Sequence, residues 1–328
     1  VDRIDPLDSY RPTLVKKETL LGRYLVRRIL QFIPVFFVAT AIIFLFVYLM
    51  PGDPIRALAG DRQMSPSTRQ ALRDRYDLDD PFHVQYVKYM GRLFTGDLGE
   101  DFRGQQVTEK LAAKLPVTMR LALMAFVFEV VIGILAGILA GVRKNGFMDN
   151  LVLASTLVVI AIPIFVLGFI AQYMLGVRLG VMPISYNPSR PTFSLLMPAL
   201  VLGSVSLAYI ARLTRTSLVE NLRADYVRTA TSKGLSRRRV VGIHTLRNSM
   251  IPVVTYLAID LGALMGGAII TETIFNVPGI GREVYNAVRS QENAVVVGIV
   301  TFLVVVYMVA NLVVDVLYAV LDPRIRYD

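Results

Sequence analysis

The chain has no cysteine. That absence excludes a disulfide framework, a thiolate metal site and a cysteine nucleophile. It has only two histidines, His83 and His244, a poor basis for a metal centre, and both read as surface or interfacial residues. No G-x-x-x-x-G-K-[ST] phosphate loop occurs, and the glycines from Gly262 to Gly267 have no lysine after them, so ATP hydrolysis by this chain is not expected. Inside an apolar run such glycines read instead as points of close helix packing. G-x-S-x-G, H-E-x-x-H and a Ser/His/Asp set are missing too, which leaves a membrane enzyme without a nucleophile.

Charge is also scarce: 18% of the 328 residues are charged, 54% are hydrophobic, and mean hydropathy is +0.54. A soluble fold cannot hide so much apolar surface. The apolar residues also come in long blocks, the mark of helices solvated by lipid. The formal net charge of +10 therefore reads as lysine and arginine gathered in cytoplasmic loops, with no nucleic-acid partner.

Six blocks are long enough to span about 30 Å of hydrocarbon. They run from about Ile29 to Met50, Val117 to Val142, Asn150 to Val177, Ser194 to Ala211, Ser249 to Thr271 and Ala294 to Val320. The predicted fold class is all-α integral membrane with six transmembrane helices. The first block is too long for a cleavable signal and ends in Met50-Pro51-Gly52-Asp53 rather than a small-x-small site, so an anchor is expected. Basic residues crowd the N-terminal segment, the loop at Arg143-Lys144 and the stretch from Arg212 to Arg247, while alternate loops are poorer. Both termini are thus expected in the cytoplasm.

This divides the chain into a cytoplasmic extension (1–28), the first transmembrane helix (29–50), an extracytoplasmic segment (51–116), a five-helix core (117–320) and a tail (321–328). In the external segment, Ser65-Pro66 predicts an N-cap opening a helix over Ser67 to Leu78, and Asp80-Pro81 predicts the same device. Phe82, Tyr86, Tyr89, Met90, Leu93 and Phe94 then recur at helical spacing, a face for the bilayer surface or for the other spans. Pro163 in the third block predicts a kink.

Three acids interrupt the blocks: Glu129, Asp260 and Asp315. Each costs a few kcal/mol at mid-bilayer if ionised and unpaired. Either they form a proton or cation relay, or each faces the bundle or a water-filled path, neutral or paired, with Asp315 near enough to the cytoplasmic end to reach the interface; no intramembrane Lys, Arg or His accompanies them.

The stretch 212–248 between the fourth and fifth blocks holds Asp225-Tyr226-Val227-Arg228-Thr229-Ala230-Thr231-Ser232-Lys233-Gly234-Leu235. Ala230 and Gly234 are four apart, which on a helix makes one small-residue face open to another protein. Gly234 equally suits a helix stop. An ordinary basic loop near anionic headgroups fits the spacing as well.

At this point the chain resembles a known family. The loop is similar to the EAA motif of type I ABC importer permeases, with Ala230 and Gly234 at its small positions and Arg228-Thr229 in place of its initial Glu-Ala. Ala211-Arg212-Leu213-Thr214-Arg215, Arg247-Asn248-Ser249-Met250-Ile251-Pro252 and Glu272-Thr273-Ile274-Phe275-Asn276-Val277-Pro278-Gly279-Ile280-Gly281 resemble the dipeptide and oligopeptide permeases. Met50-Pro51-Gly52-Asp53-Pro54, Gly96-Asp97-Leu98-Gly99 and the ending Leu321-Asp322-Pro323-Arg324-Ile325-Arg326 resemble their B-type subunit. The resemblance implies a coupling loop in which Asp225, Arg228, Thr229, Ala230, Ser232, Lys233, Gly234 and Leu235 dock an ATPase subunit. It further implies a homologous second permease, two nucleotide-binding domains carrying ATP and Mg²⁺, and an extracytoplasmic substrate-binding protein. Its members move dipeptides, oligopeptides, glutathione, nickel complexes or haem. A gradient-driven transporter using the three acids is the alternative.

Overall fold

The computed structural model describes residues 11–55 and 64–321, with side chains described from residue 26 onward except at 267 and 316–321. Among these residues the chain is helical throughout, and its single β feature is an isolated bridge between Glu100 and Gln106. The predicted ending Asp322-Pro323-Arg324-Ile325-Arg326 and the first ten residues of the extension lie outside the described residues.

Helix α1 (Arg11–Tyr48) carries the first apolar run, and its outer face shows Phe46 and Leu49 to the surroundings. It ends before Pro51 and Gly52, where a backbone φ of +131° favours glycine. Helix α2 (Pro66–Arg75) starts as expected: the Ser65 hydroxyl accepts from the Thr68 amide at 3.1 Å, and Pro66 fills the first helical position. It stops three residues before the predicted Leu78, because the chain turns left-handed at Asp77 (φ +52°). Helix α3 (Phe82–Phe94) matches the amphipathic prediction, but Asp80 does not cap it. Pro81 holds the cap position, and the Asp80 carboxylate pairs instead with Lys88 at 2.6 Å.

Helix α4 (Val107–Val142) begins ten residues before the predicted second span, and at 36 residues it outreaches a bilayer's hydrocarbon. The predicted third span is not one helix. Helix α5 (Phe147–Ala161) and helix α6 (Ile164–Ala171), which runs on through a wide turn at Gln172–Arg178, meet at 107°. Pro163 forces the residue before it out of the helical region, so Ile162 is extended and the helix breaks rather than kinks. Helix α7 (Leu196–Asn221) continues ten residues past the predicted end at Ala211, into the basic stretch. Helix α8 (Asp225–Ser232) follows, and then a helical segment at Arg237–Ser249, widened over Val240–Thr245, bends by 45° into the next helix. That helix is α9 (Ile251–Ile274), with Pro252 tolerated in its first turn. Helix α10 (Ile280–Arg289) was not foreseen, and α11 (Asn293–Leu321) closes the described part.

Four helices are long and apolar enough to cross a membrane, and the two bent pairs raise the candidates to six. The tightest packing lies between α4 and α7. Gly133, Gly137 and Gly141 recur every four residues on α4 and let it lie against Ile210, Thr214 and Leu218; a Cβ on Gly137 would sit 2.5 Å from that of Thr214. In the predicted Gly262–Gly267 stretch, Gly262 approaches Ala310 and Tyr307 of α11, whereas nothing lies near Gly266. One core gathers Leu121, Ala125, Met197, Leu202, Leu264 and Phe275 from α4, α7, α9 and the turn after it. A second joins α1, α3, α10 and α11 through Val47, Tyr89, Val284 and Val296.

Candidate functional site

The loop singled out by its motif folds as α8 followed by a turn. Thr229 and Thr231 hydroxyls donate back to the Asp225 and Val227 carbonyls, which keeps these polar side chains local. The helix ends where Gly234 adopts φ +80°, with the Leu235 amide donating to Ala230 at 3.3 Å and the Gly234 amide to Thr231 at 3.0 Å. Gly234 therefore acts as the helix stop.

That geometry corrects the expectation of a shared small-residue face. Ala230 is turned inward and only 9% exposed, packed with Val227, Val240 and Leu235 in a small core of the loop's own. Gly234 lies past the helix and is exposed. The outward face carries Asp225, Arg228, Thr229, Ser232 and Lys233, spaced three to four residues apart and all exposed. Leu235 is half-buried beneath them. The Arg228–Asp225 ion pair on this face spans 3.6 Å in open solvent and contributes little.

The loop is anchored at its base. Arg215 donates from Nε and Nη2 to the two carboxylate oxygens of Asp149, each at 2.8 Å, and the Asn145 amide adds a bond at 2.7 Å. Asp149 is 1% exposed, so an unusually dry ion pair ties the Arg143–Gly146 turn to α7. Reading the sequence missed Asp149, because it sits one residue outside the predicted third span. A second tie joins the Ser249 hydroxyl to the Ser217 carbonyl at 3.4 Å.

The three acids part company. Asp315 is paired: Arg28 donates to both its oxygens, at 2.5 and 3.1 Å. Arg28 lies at the edge of the predicted extension, 287 residues away in sequence, which hid the pair. Glu129 is fully buried beside Asp260, which accepts from the Ser206 hydroxyl at 2.8 Å and the Tyr256 hydroxyl at 3.4 Å. A fourth acid, Glu272, was seen only as part of a motif. It is fully buried and accepts from the Thr118 hydroxyl at 2.6 Å and the Arg282 amide at 3.0 Å. Gly281 is needed there, since a Cβ would meet the Ile269 backbone at 2.5 Å.

On the opposite end of the bundle, α3 lays its apolar face on α1 and α11 rather than standing free. Phe44 packs edge-on against Phe82 and Tyr86, and Tyr89 donates to Thr301 at 2.8 Å. Lys110 bridges Asp101 at 3.0 Å and Glu283 at 2.8 Å, fastening this segment to α10. Burial pushes the Asp101 carboxyl up, but the Gln105 and Arg103 amides and the Lys110 ammonium outweigh it and hold it below the usual carboxylate range.

A bundle with several helices long and apolar enough to cross a membrane, an ordered polar segment at one end and an exposed helix on a basic loop at the other is the build of a membrane transport subunit. The chain belongs to the family of binding-protein-dependent transport system inner membrane components, which matches residues 133–327, while that family's N-terminal region matches residues 21–122. It is 36% identical over 331 residues to the dipeptide transport system permease protein of Alkalihalophilus pseudofirmus, covering 93% of this chain and 99% of that one. The di/tripeptide transport system permease protein of Pseudomonas aeruginosa is likewise 36% identical, with 93% and 98% covered. The glutathione transport system permease protein of Salmonella paratyphi A is 37% identical over 308 residues, with 93% and 99% covered. The resemblance drawn from the motifs therefore stands.

Proposed function

We propose that this chain is one permease subunit of an ATP-driven importer of dipeptides and oligopeptides. In this reading it crosses the membrane six times, with both termini in the cytoplasm. A homologous second permease completes the substrate path. Two nucleotide-binding domains carrying ATP and Mg²⁺ bind the cytoplasmic loops, and an extracytoplasmic binding protein delivers substrate. The names of the relatives support peptides first and glutathione second.

The observation that carries the coupling role is the division of α8 into two faces. Val227 and Ala230 pack inward, which leaves Asp225, Arg228, Thr229, Ser232 and Lys233 presented together without a partner surface. A rigid helix offered this way transmits motion of an ATPase domain to α7 and α9, between which the loop is strung. Switching between inward- and outward-open states is then a rigid-body rearrangement biased by nucleotide.

Ser232→Glu tests the docking face, since Ser232 is exposed and its replacement leaves the loop core intact. Expected is a permease that inserts and folds but co-purifies poorly with its ATPase and loses uptake. Arg238→Glu, in the basic run beyond Gly234, is the control and should retain both. A larger defect in Arg238→Glu would move the docking role to the basic run. Cysteines placed singly at 144, 190, 239 and 289 test the topology, with only 190 and 289 expected to label from outside intact cells.

The gradient-driven alternative loses Asp315, which is engaged by Arg28, and keeps only the Glu129–Asp260 pair. Uptake by the purified chain under a pH gradient, without ATPase partners, would decide for it.

A further inference from the structure

A cavity of about 570 Å³ opens where α1 ends, between α2, α3 and the start of α11. That volume suits a small organic ligand. Tyr48, Tyr76, Tyr89 and Phe102 supply apolar wall, and charged side chains supply the rest.

Most of those charges are already paired. Arg73 engages Asp79 at 2.7 Å, and Arg75 engages Glu100 at 2.6 Å. One acceptor on the wall makes no hydrogen bond among the described residues, the Glu292 carboxylate, although the charges of Lys110, Arg103, Asp101 and Glu283 act on it. Asn293 lines the wall beside it, but its Oδ1 is sealed from the cavity. What would complete Glu292 is a donor with positive charge in contact with it. Opposite in character, Arg92 on the same wall reaches Asp77 only at 3.7 Å and keeps its donors unspent.

The backbone holds Glu292 in place at some cost. Gln291 adopts φ +56°, unusual for a residue with a side chain, and its side-chain amide Nε2 donates to the Pro51 carbonyl at 3.0 Å. A Cβ on Gly52 would collide with that amide, 1.9 Å from its nitrogen. The Met50-Pro51-Gly52-Asp53 motif thus clamps the turn that places Glu292 on the cavity wall. Strain that the surroundings hold in place is a common mark of a functional site.

We propose that this cavity binds a small zwitterion bearing a primary ammonium group, with Glu292 taking the ammonium and Arg92 the anionic end. A short peptide has that chemistry, and so does the headgroup of phosphatidylethanolamine. The peptide is the favoured occupant, a choice that rests on the import reading above. Burial raises the Glu292 carboxyl above the usual range. An arriving ammonium favours its ionised form, so binding weakens as pH falls through that raised value.

The test uses the assembled transporter in maltoside detergent, without binding protein, titrated with dialanine, N-acetyl-dialanine or phosphatidylethanolamine. Dialanine is expected to bind, with affinity lost about tenfold or more on N-acetylation, in Glu292→Gln and in Arg92→Gln. Wild-type affinity should be lower in acid than near neutrality, and Glu292→Gln should flatten that profile. Retention of the ATPase by both variants verifies their folding. Glu292-dependent binding of the lipid but not of dialanine keeps the ammonium site and assigns it to a headgroup. Binding of both ligands unaffected by either variant, or no binding of either, overturns the proposal. Wild-type ATP-driven dipeptide uptake, measured separately with binding protein, tests the import reading alone.

Discussion

The polar segment before α4 and the basic loop around α8 lie at opposite ends of the bundle and are held in opposite ways. The first is fastened across the fold: aromatic rings of α3 on α1, Tyr89 on Thr301, Lys110 between Asp101 and Glu283. The second has a core of Val227, Ala230, Leu235 and Val240, and relies on the Asp149–Arg215 pair at its base. The lesson is that the loop's order comes from a few contacts beneath it while its outer face stays free for a partner. The other segment spends its side chains on this chain and keeps only a cavity open.

The largest effect is expected at the base of the loop. Arg215→Ala strands a buried carboxylate and should destabilise by about 3–5 kcal/mol, whereas the double change Asp149→Leu with Arg215→Leu should recover most of that. Thermal unfolding of the purified complex reads both, and a double variant no better than the single would break the picture of a dry anchoring pair. Next comes Phe44→Ala, which removes the ring seating α3 and should cost about 3 kcal/mol. Protease access to residues 64–106 should rise while ATPase retention holds, which sharpens the contrast between the two ends.

A smaller loss of about 1 kcal/mol is expected for Val240→Ala in the loop's own core. Here the readings reverse, with ATPase retention falling and the other end unchanged. Asp101 adds a pH dependence at the far end only. Its folded pKa is depressed, so its contribution is full above the unfolded carboxylate range and is lost as pH falls through the lower folded value. Proteolysis of that segment in acid should be faster in wild type than near neutrality, and Asp101→Asn should reduce the dependence, with Asp79, also depressed beside Arg73, carrying the rest. The smallest effect, about 0.5 kcal/mol, belongs to Ser65→Ala, which deletes the exposed cap of α2 and should register only as local amide exchange.

Much of this was legible from residue order alone, where the physics is local. Runs of apolar residues mark segments that lipid can solvate, Ser65-Pro66 starts a helix by satisfying its own amides, and the spacing from Phe82 to Phe94 makes one face. Even Gly234 as a stop follows from a backbone angle that side chains disfavour. Where two local rules competed, reading stumbled: Ala230 and Gly234 are four apart, but the same glycine that completes the spacing ends the helix that would have aligned them.

Residue order by itself determined the membrane-solvated helices, their approximate bounds and the family to which the chain belongs, because hydropathy and motifs are properties of neighbours. Tertiary structure alone decided the rest. It paired Arg28 with Asp315, buried Asp149 against Arg215, wrapped Glu272 in the amides after α9 and broke the third span by 107°. It also turned Ala230 inward and left the Glu292 carboxylate on a cavity wall without a hydrogen bond. Each of these depends on which distant side chain fills the space across a helix interface. A charge finds its partner, or fails to, only once the helices that carry both have packed.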